Sequence, residues 1–195
     1  IFHLAAQALV KESYKDPINT WQTNLMGTLN ILETLRKLNS KCNVILVTSD
    51  KCYKNKEWIW GYREVDELGG IDPYSASKAA TELAINSYVK SFLLNNKFIS
   101  VCSVRAGNVI GGGDWSENRL LPDCIKSWSN NDEVILRNPN STRPWQHVLE
   151  PLSGYLSLAS KLDTDANLNG ESFNFGPVEN KERTVLDVVE EISKY

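Results

Sequence analysis

The chain has 195 residues, enough for one large domain or two small ones. Apolar residues make up 42% and charged residues 23%, a balance that supports a packed core without disulfide staples and argues against a disordered chain. Twenty-four acids against 21 bases leave a formal charge of -3 with no Lys/Arg cluster, so there is no electrostatic footprint for nucleic acid, and the apolar runs are too short to span a membrane. None of the four cysteines, Cys42, Cys52, Cys102 and Cys124, belongs to a C-x-x-C pair, so no zinc site is expected and reduced thiols of a cytoplasmic protein are.

In chain order, Ile1 to Ala5 reads as a short buried strand. A helix is predicted from about Pro17 to Leu38, with Asp16 as N-cap and Pro17 in the first turn. Ile18, Trp21, Leu25, Leu29, Leu32 and Leu35 recur at three- and four-residue spacing and make one apolar face. Asn43 to Thr48 is the next strand, and its unbroken Val44–Val47 run suits a parallel strand covered on both sides. A connection rich in aromatics and charge follows over residues 52 to 72. Ser75 to about Asn95 is a second helix and Phe98 to Val104 a third strand. This alternation predicts a doubly wound α/β sheet.

The rhythm changes after Gly107. Glycines 111 to 113 are a turn rather than a phosphate loop, since no Gly-Lys-Ser/Thr follows. A short helix is expected over Asn118–Trp128, a short strand over Val134–Leu136, a helix over Leu149–Leu162 and a strand over Phe173–Gly176. Thr184 and Asp187 are placed to cap a last helix reaching Ile192.

Ligands of doubly wound sheets bind outside the carboxyl ends of the strands. Three such ends carry polar or small residues: Ala5-Ala6-Gln7, Thr48-Ser49-Asp50-Lys51 and Arg105-Ala106-Gly107-Asn108. In DPYSASK, Tyr74 and Lys78 stand four residues apart where a helix begins, hence on one face. An ammonium beside a phenol stabilises the phenolate and lowers its pKa from about 10, which makes a base for a sugar hydroxyl. Y-x-x-x-K alone is weak evidence; after a strand ending in Ser49, whose hydroxyl can bind the same oxygen, it is much stronger.

Together with HLAAQ and N-x-x-G-T (Asn24, Gly27, Thr28), these motifs resemble the extended short-chain dehydrogenase/reductase family. TSDKCY, W-x-W-G-Y-R-E, RAGNVIGGGDW and RPWQHVLEPL are similar to its nucleotide-sugar 4,6-dehydratase branch, specifically the members acting on CDP-glucose. The resemblance implies a Rossmann fold, a bound NAD and a CDP-glucose or related substrate. It implies Ser49, Asp50, Lys51, Tyr74 and Lys78 as catalytic, and Ala5, Ala6, Gln7, Asn24, Tyr74 and Lys78 at the cofactor. Asp50 takes the position of the acid at the C6 oxygen, which requires a carboxyl that keeps its proton. Lys51 takes that of the C5 base; other nucleotide-sugar dehydratases carry Glu there, and a charged Lys51 stabilising an enolate is the rival reading.

Asn108, Arg119, Arg143 and His147 match substrate positions, the arginines suiting a diphosphate. Each arginine has an ordinary surface role as competitor, and for His147 helix capping or core packing weighs equally. His3 is expected to be a core histidine, and Trp58, Trp60 and Tyr62 either a water-excluding lid or an apolar plug. The helices over 17–38 and 75–95 correspond to a homodimer interface in the family. The glycine-rich dinucleotide turn has no counterpart here, so the chain is expected to be a fragment of a longer enzyme. Residues 1–109 are then the C-terminal part of the NAD-binding domain, with strand 173–176 returning to it. Residues 110–195 are mainly substrate-binding and incomplete at the C-terminus. A C4 epimerase, a dehydratase for another nucleotide, and a non-catalytic sugar-nucleotide-binding module are the competing readings.

Overall fold

The structure, a computed structural model, describes residues 1–177 and 183–195. Strands β1 (Phe2–His3), β2 (Cys42–Val47), β3 (Ile99–Ala106) and β6 (Ser172–Phe175) form one sheet in that order, every neighbouring pair parallel. Helices α1 (Val10–Lys15), α2 (Pro17–Trp21) and α3 (Gly27–Lys37) lie between β1 and β2, and α4 (Pro73–Tyr88) between β2 and β3. Strands β4 (Val109–Ile110) and β5 (Gln146–His147) form a separate parallel pair. Helices α5 (Leu120–Ser129), α6 (Leu149–Lys161) and α7 (Val185–Ile192) complete the chain.

The predicted long helix forms from α2 through a wider π turn (Gln22–Met26) into α3. Asp16 caps it, its carboxylate accepting from the Asn19 amide at 3.0 Å. A second π turn, Val89–Leu93, extends α4 to the predicted length. Alternation along β2 sends successive side chains to opposite faces. Val44 and Leu46 pack with Leu32, Leu35, Ile85, Val89 and Val101 under α3 and α4. Ile45 packs with Cys102, Val104, Tyr155, Leu158 and Leu162 under α6. Burial on both faces is what the unbroken apolar run of β2 and β3 encodes.

Two expectations need correction, and one helix was not anticipated. Val134–Leu136 is not a strand: Ile135 is 87% exposed, and the three residues pair with no strand among the described residues. The pairing in this region is made instead by Gln146–His147 against Val109–Ile110. Ile1–Ala5 is not buried; β1 pairs only with β2 among the described residues, and Phe2 and Leu4 are exposed. Helix α1, six residues long, was not foreseen.

The chain divides into two compact units: residues 1–106 with 151–175, and 107–150 with 176–195. Most of α6 therefore belongs with the sheet. In the second unit the Thr184–Asp187 capping box forms as expected and starts α7. The Arg143 and Val185 amides donate to the Arg183 and Ser141 carbonyls, and Thr142 bridges Thr184.

Helix α6 reaches β6 closely because residue 154 is glycine: a Cβ there would lie 2.0 Å from Cε1 of Phe175. Phe175 is held edge-on against Tyr155, ring centroids 5.1 Å apart, so it cannot swing aside without losing that contact. Gly154→Ala is expected to destabilise the full-length protein by about 1–3 kcal/mol, the usual penalty for overpacking. Gly112→Ala, where a Cβ meets nothing within 4 Å, is the control. Urea denaturation of both variants checks it.

Candidate active site

The carboxyl ends of β1 and β2 and the first two turns of α4 meet at one edge of the sheet. Helix α4 starts there because Asp72 accepts from the Ser75 amide at 2.9 Å and Pro73 follows at the first helical position. Ser75 Oγ adds a second bond to the Asp72 carboxylate, 2.6 Å. On this helix Tyr74 and Lys78 are buried, 7% and 5% exposed. Lys78 Nζ lies 3.5 Å from the Val47 carbonyl, the last of β2. Burial lowers Lys78 to about 8 from the ordinary lysine value, with the Glu82 charge acting in the opposite direction.

Past Val47 the chain turns sharply into a 3-10 helix, Asp50–Cys52. Ser49 caps it: its hydroxyl accepts from the Lys51 amide at 3.2 Å and donates to the Asp50 carboxylate at 3.1 Å. The Lys51 ammonium sits 5.9 Å from the centroid of the Tyr74 ring. Ser49, Asp50, Lys51, Tyr74 and Lys78 thus gather at the end of β2.

Asn24 joins this edge from the π turn. Its side chain accepts from the Gln7 amide at 2.8 Å and donates to the Gln7 carbonyl at 3.1 Å and to Ser77 Oγ at 2.9 Å. It is 2% exposed and joins the chain beyond β1 to α4. The π turn widens the helix at this point; such bulges are a common way to aim a side chain at a site. Gln7 is fixed further by Thr20, 2.8 Å from its amide nitrogen. Ala5 and Ala6 precede it, Ala5 exposed and Ala6 half-buried. His3 packs as a half-buried histidine against Thr28 Oγ1 at 3.2 Å, and burial and then Lys78 lower its pKa.

Four residues were given no role from the sequence: Thr48 and Arg105, noted only as members of strand ends, and Ser77 and Glu82. Glu82 and Arg105 are buried, 3% and 4% exposed, and pair at 2.7 Å. Glu82 also receives hydrogen bonds from Thr48 Oγ1 and from Ser103 Oγ. Burial disfavours the Arg105 cation, but the hydrogen bond and charge of Glu82 more than offset it and raise its pKa. Glu82 follows Lys78 by four residues, one helical turn, and that spacing was the available signal.

The aromatic connection is pinned to the same network. Arg105 donates to Tyr53 Oη at 2.7 Å and to the Glu64 carbonyl at 3.0 Å. Tyr53 stacks on Tyr62 and Tyr62 contacts Trp58, ring centroids 5.1 and 5.2 Å apart. Tyr53, Tyr62 and Leu68 cluster with Ala79, which favours the plug over the lid for Tyr62; Trp60, 64% exposed, is not part of it.

The expected substrate residues lie in the second unit. Asn108, half-buried, accepts through its carbonyl from the Gln146 amide at 3.0 Å. Arg119 is exposed and 3.6 Å from Asp114. Arg143 is exposed and bonds the carbonyl of Thr142. His147 Nδ1 accepts from the Leu149 amide at 3.3 Å, at the start of α6. No group of three or more potential metal-ligating side chains occurs among the described residues.

Residues 1–195 match the sequence model described as GDP-mannose 4,6 dehydratase. The chain belongs to this family. It is 50% identical over 196 residues to a CDP-glucose 4,6-dehydratase of Salmonella typhimurium, an alignment covering 98% of this chain and 55% of that protein. The chain therefore spans about half the length of that curated relative. A dTDP-glucose 4,6-dehydratase from Bacillus anthracis, solved in complex with NAD, superposes with a TM-score of 0.80 at 26% identity, over 100% of this chain and 55% of that one. The Streptomyces venezuelae dTDP-glucose 4,6-dehydratase DesIV shares the fold, TM-score 0.82 at 22% identity, over 100% of this chain and 56% of its own. The fold is thus the Rossmann-like sheet of the extended short-chain dehydrogenase/reductases.

Two stability outcomes follow from the buried polar groups. Asn24→Ala removes the partner of the Gln7 backbone amide and carbonyl and one of the two bonds of Ser77 Oγ, and is expected to lose about 2–3 kcal/mol by urea denaturation. Lys78 behaves in the opposite way. Between pH 8 and 10.5 the unfolded chain holds a proton that the folded chain gives up, so stability rises with pH through that window. Below it the buried cation is a standing penalty. Lys78→Met is expected to stabilise the protein by roughly 1–3 kcal/mol at pH 7 and to flatten the slope above pH 8.

Proposed function

We propose that the full-length protein converts CDP-glucose to CDP-4-dehydro-6-deoxy-glucose, a lyase reaction run with a resident NAD and no net redox change. The observation that carries this is the Ser49–Asp50–Lys51 turn, with the Lys51 ammonium 5.9 Å from the Tyr74 ring. Half identity to a CDP-glucose 4,6-dehydratase supports the reaction and the cytidine nucleotide.

The residues present suit the nicotinamide-ribose end of the cofactor. Lys78 has three donors, and among the described residues its ammonium hydrogen-bonds only Val47 O, at 3.5 Å, which leaves capacity for ribose hydroxyls. Ala5 and Ala6 offer small side chains where a strand end meets a dinucleotide, and Asn24 fixes the Gln7 backbone beside them. The 195 residues contain no Gly-x-Gly-x-x-Gly turn, so they account for part of the cofactor site only. Bound there, NAD would supply the acceptor for the C4 hydride and its return to C6.

Tyr74 takes the proton of the C4 hydroxyl, its phenolate supported by the Lys78 cation, while Ser49 Oγ orients the same oxygen. A C4 ketone makes the C5 proton acidic. Lys51 deals with that proton: a neutral amine takes it, and an ammonium stabilises the enolate it leaves. Asp50 protonates the departing C6 oxygen. A C4 epimerase has no use for the last two residues, which weighs against that reading.

The first compact unit then serves the cofactor and the second the sugar nucleotide. Arg119 and Arg143 bind the diphosphate and Asn108 the sugar or diphosphate. The His147 imidazole, on the α6 cap, lines the nucleotide pocket. A homodimer through the helices over 17–38 and 75–95 is supported by apolar side chains left exposed on them, Ile18, Met26, Leu83 and Phe92 among these. We place the enzyme in the cytoplasm, serving deoxysugar and polysaccharide synthesis; no helix among the described residues is long and apolar enough to cross a membrane.

The test gives the full-length enzyme CDP-, dTDP-, UDP- and GDP-glucose and weighs the products. Loss of one water from CDP-glucose, with no NADH accumulating, is the expected result. Asp50→Asn is expected to lose at least about a hundredfold in dehydration while still removing the C4 hydride. Unchanged turnover by that variant would remove Asp50 from the role of acid, and a product of unchanged mass would make the enzyme an epimerase.

A further inference from the structure

Glu82 lies outside the constellation just described, yet it bonds the residue that precedes Ser49 and two strands beside it. Its carboxylate accepts from Arg105 Nη2 at 2.7 Å and from Ser103 Oγ at 2.9 Å, both on β3. It accepts from Thr48 Oγ1, the residue between the last residue of β2 and Ser49. Ser172 Oγ on β6 approaches at 3.4 Å. The helix that carries Glu82 carries Lys78 one turn before it and Tyr74 two turns before it, all on one face. One side chain therefore ties the Tyr74–Lys78 face of α4 to the strand end that presents Ser49.

We propose that Glu82 is a positioning residue of the Ser49–Tyr74–Lys78 centre: it locks α4 onto the end of β2 and supplies the counter-charge beneath Lys78. The proposal rests on the dehydratase reading for its kinetic consequence and on the geometry alone for its effect on Lys78. Burial drives Lys78 toward the neutral amine, and the Glu82 carboxylate opposes it. The other charged or titratable groups around this centre are few. His3 faces Lys78 from β1. Cys52, a buried thiol pushed up to about 12, stands on the 3-10 turn with Asp50 and Lys51, and Tyr53 follows. Arg105 faces Glu82 from β3. Of these, Glu82 is the group whose negative charge most supports a Lys78 cation.

Removing Glu82 alone would strand a buried guanidinium, so the test removes both charges. In the full-length enzyme, Glu82→Gln is combined with Arg105→Gln, and folding is checked by thermal denaturation. Carbon-13 NMR of the lysine Cε groups follows Lys78, its signal assigned by loss in Lys78→Arg. The wild type is expected to titrate near 8. The paired variant is expected about one pH unit lower. The alkaline limb of kcat should move with it while KM for the sugar nucleotide holds, and Glu82→Asp should restore part of the shift.

A folded paired variant with an unmoved Lys78 midpoint overturns the proposal, whatever its turnover. If the pair does not fold, Thr48→Val carries the test. It cuts the tie to β2 and keeps the charge, so kcat should fall about tenfold with the Lys78 midpoint in place; wild-type kcat overturns the lock. A wild-type enzyme that never dehydrates CDP-glucose would sink the reaction assigned above and leave the NMR titration of Glu82 standing.

Discussion

A carboxylate buried beside a guanidinium has little water to turn to, so protein groups must fill most of the hydrogen-bonding positions around the pair; Arg105 Nε alone of this pair's side-chain polar atoms finds no partner among the described residues. Beside this sheet the Glu82–Arg105 pair draws in Thr48, Ser103, Ser172, Tyr53 and the Glu64 carbonyl, from the end of β2, from β3, from β6 and from the long connection. A buried pair of this kind is weak evidence for net stability, because desolvation opposes the attraction. Its worth lies in directionality. Hydrophobic contact between α4 and the sheet would tolerate small slides; a carboxylate gripped from several directions does not. The Asn24 side chain applies the same logic on the other side of α4, where it grips the Gln7 backbone and Ser77.

Between these two anchors lies the surface where chemistry is assigned. Tyr74 and Lys78 are presented by a helix whose start is fixed by Asp72 and whose flank is fixed by Asn24 and Glu82. Ser49, Asp50 and Lys51 ride on a turn that a serine hydroxyl closes. The groups are thus held by packed or hydrogen-bonded neighbours rather than by loop conformation, as a site requiring fixed geometry demands. Lys78 illustrates the trade between stability and chemistry. A lysine in that place opposes folding at neutral pH, and only a partner cofactor or a reacting phenol gives its charge a use.

Much of this was legible in the sequence because it is periodic or local. The apolar spacing of Ile18 to Leu35 exposes a helix, the Val44–Val47 run exposes a strand buried on both faces, and the four-residue step from Tyr74 to Lys78 exposes a shared helical face. What stayed hidden depends on contacts between distant positions. The π turn at Gln22–Met26 leaves no mark in hydrophobic spacing, yet it aims Asn24. Glu82 reads as an ordinary helix-surface acid until Arg105, in a strand 23 residues later, is seen beside it. The failed strand at Val134–Leu136 and the missed one at Gln146–His147 are both very short, and pairing of so few residues is decided by the neighbour available, not by propensity.

Arg105 has a second allegiance that reaches beyond geometry. It grips Glu82 with one end and, through Tyr53 and the Glu64 carbonyl, the aromatic connection with the other. The connection and the α4 face thereby share a single residue, so their mutational effects are not separable. Substitutions at Tyr53 or Tyr62 and substitutions on α4 belong to one epistatic group, in which energies fail to add. A loop transplanted from a relative would have to bring its own answer for Arg105, so evolutionary drift in the aromatic connection is constrained by a helix it precedes in the chain.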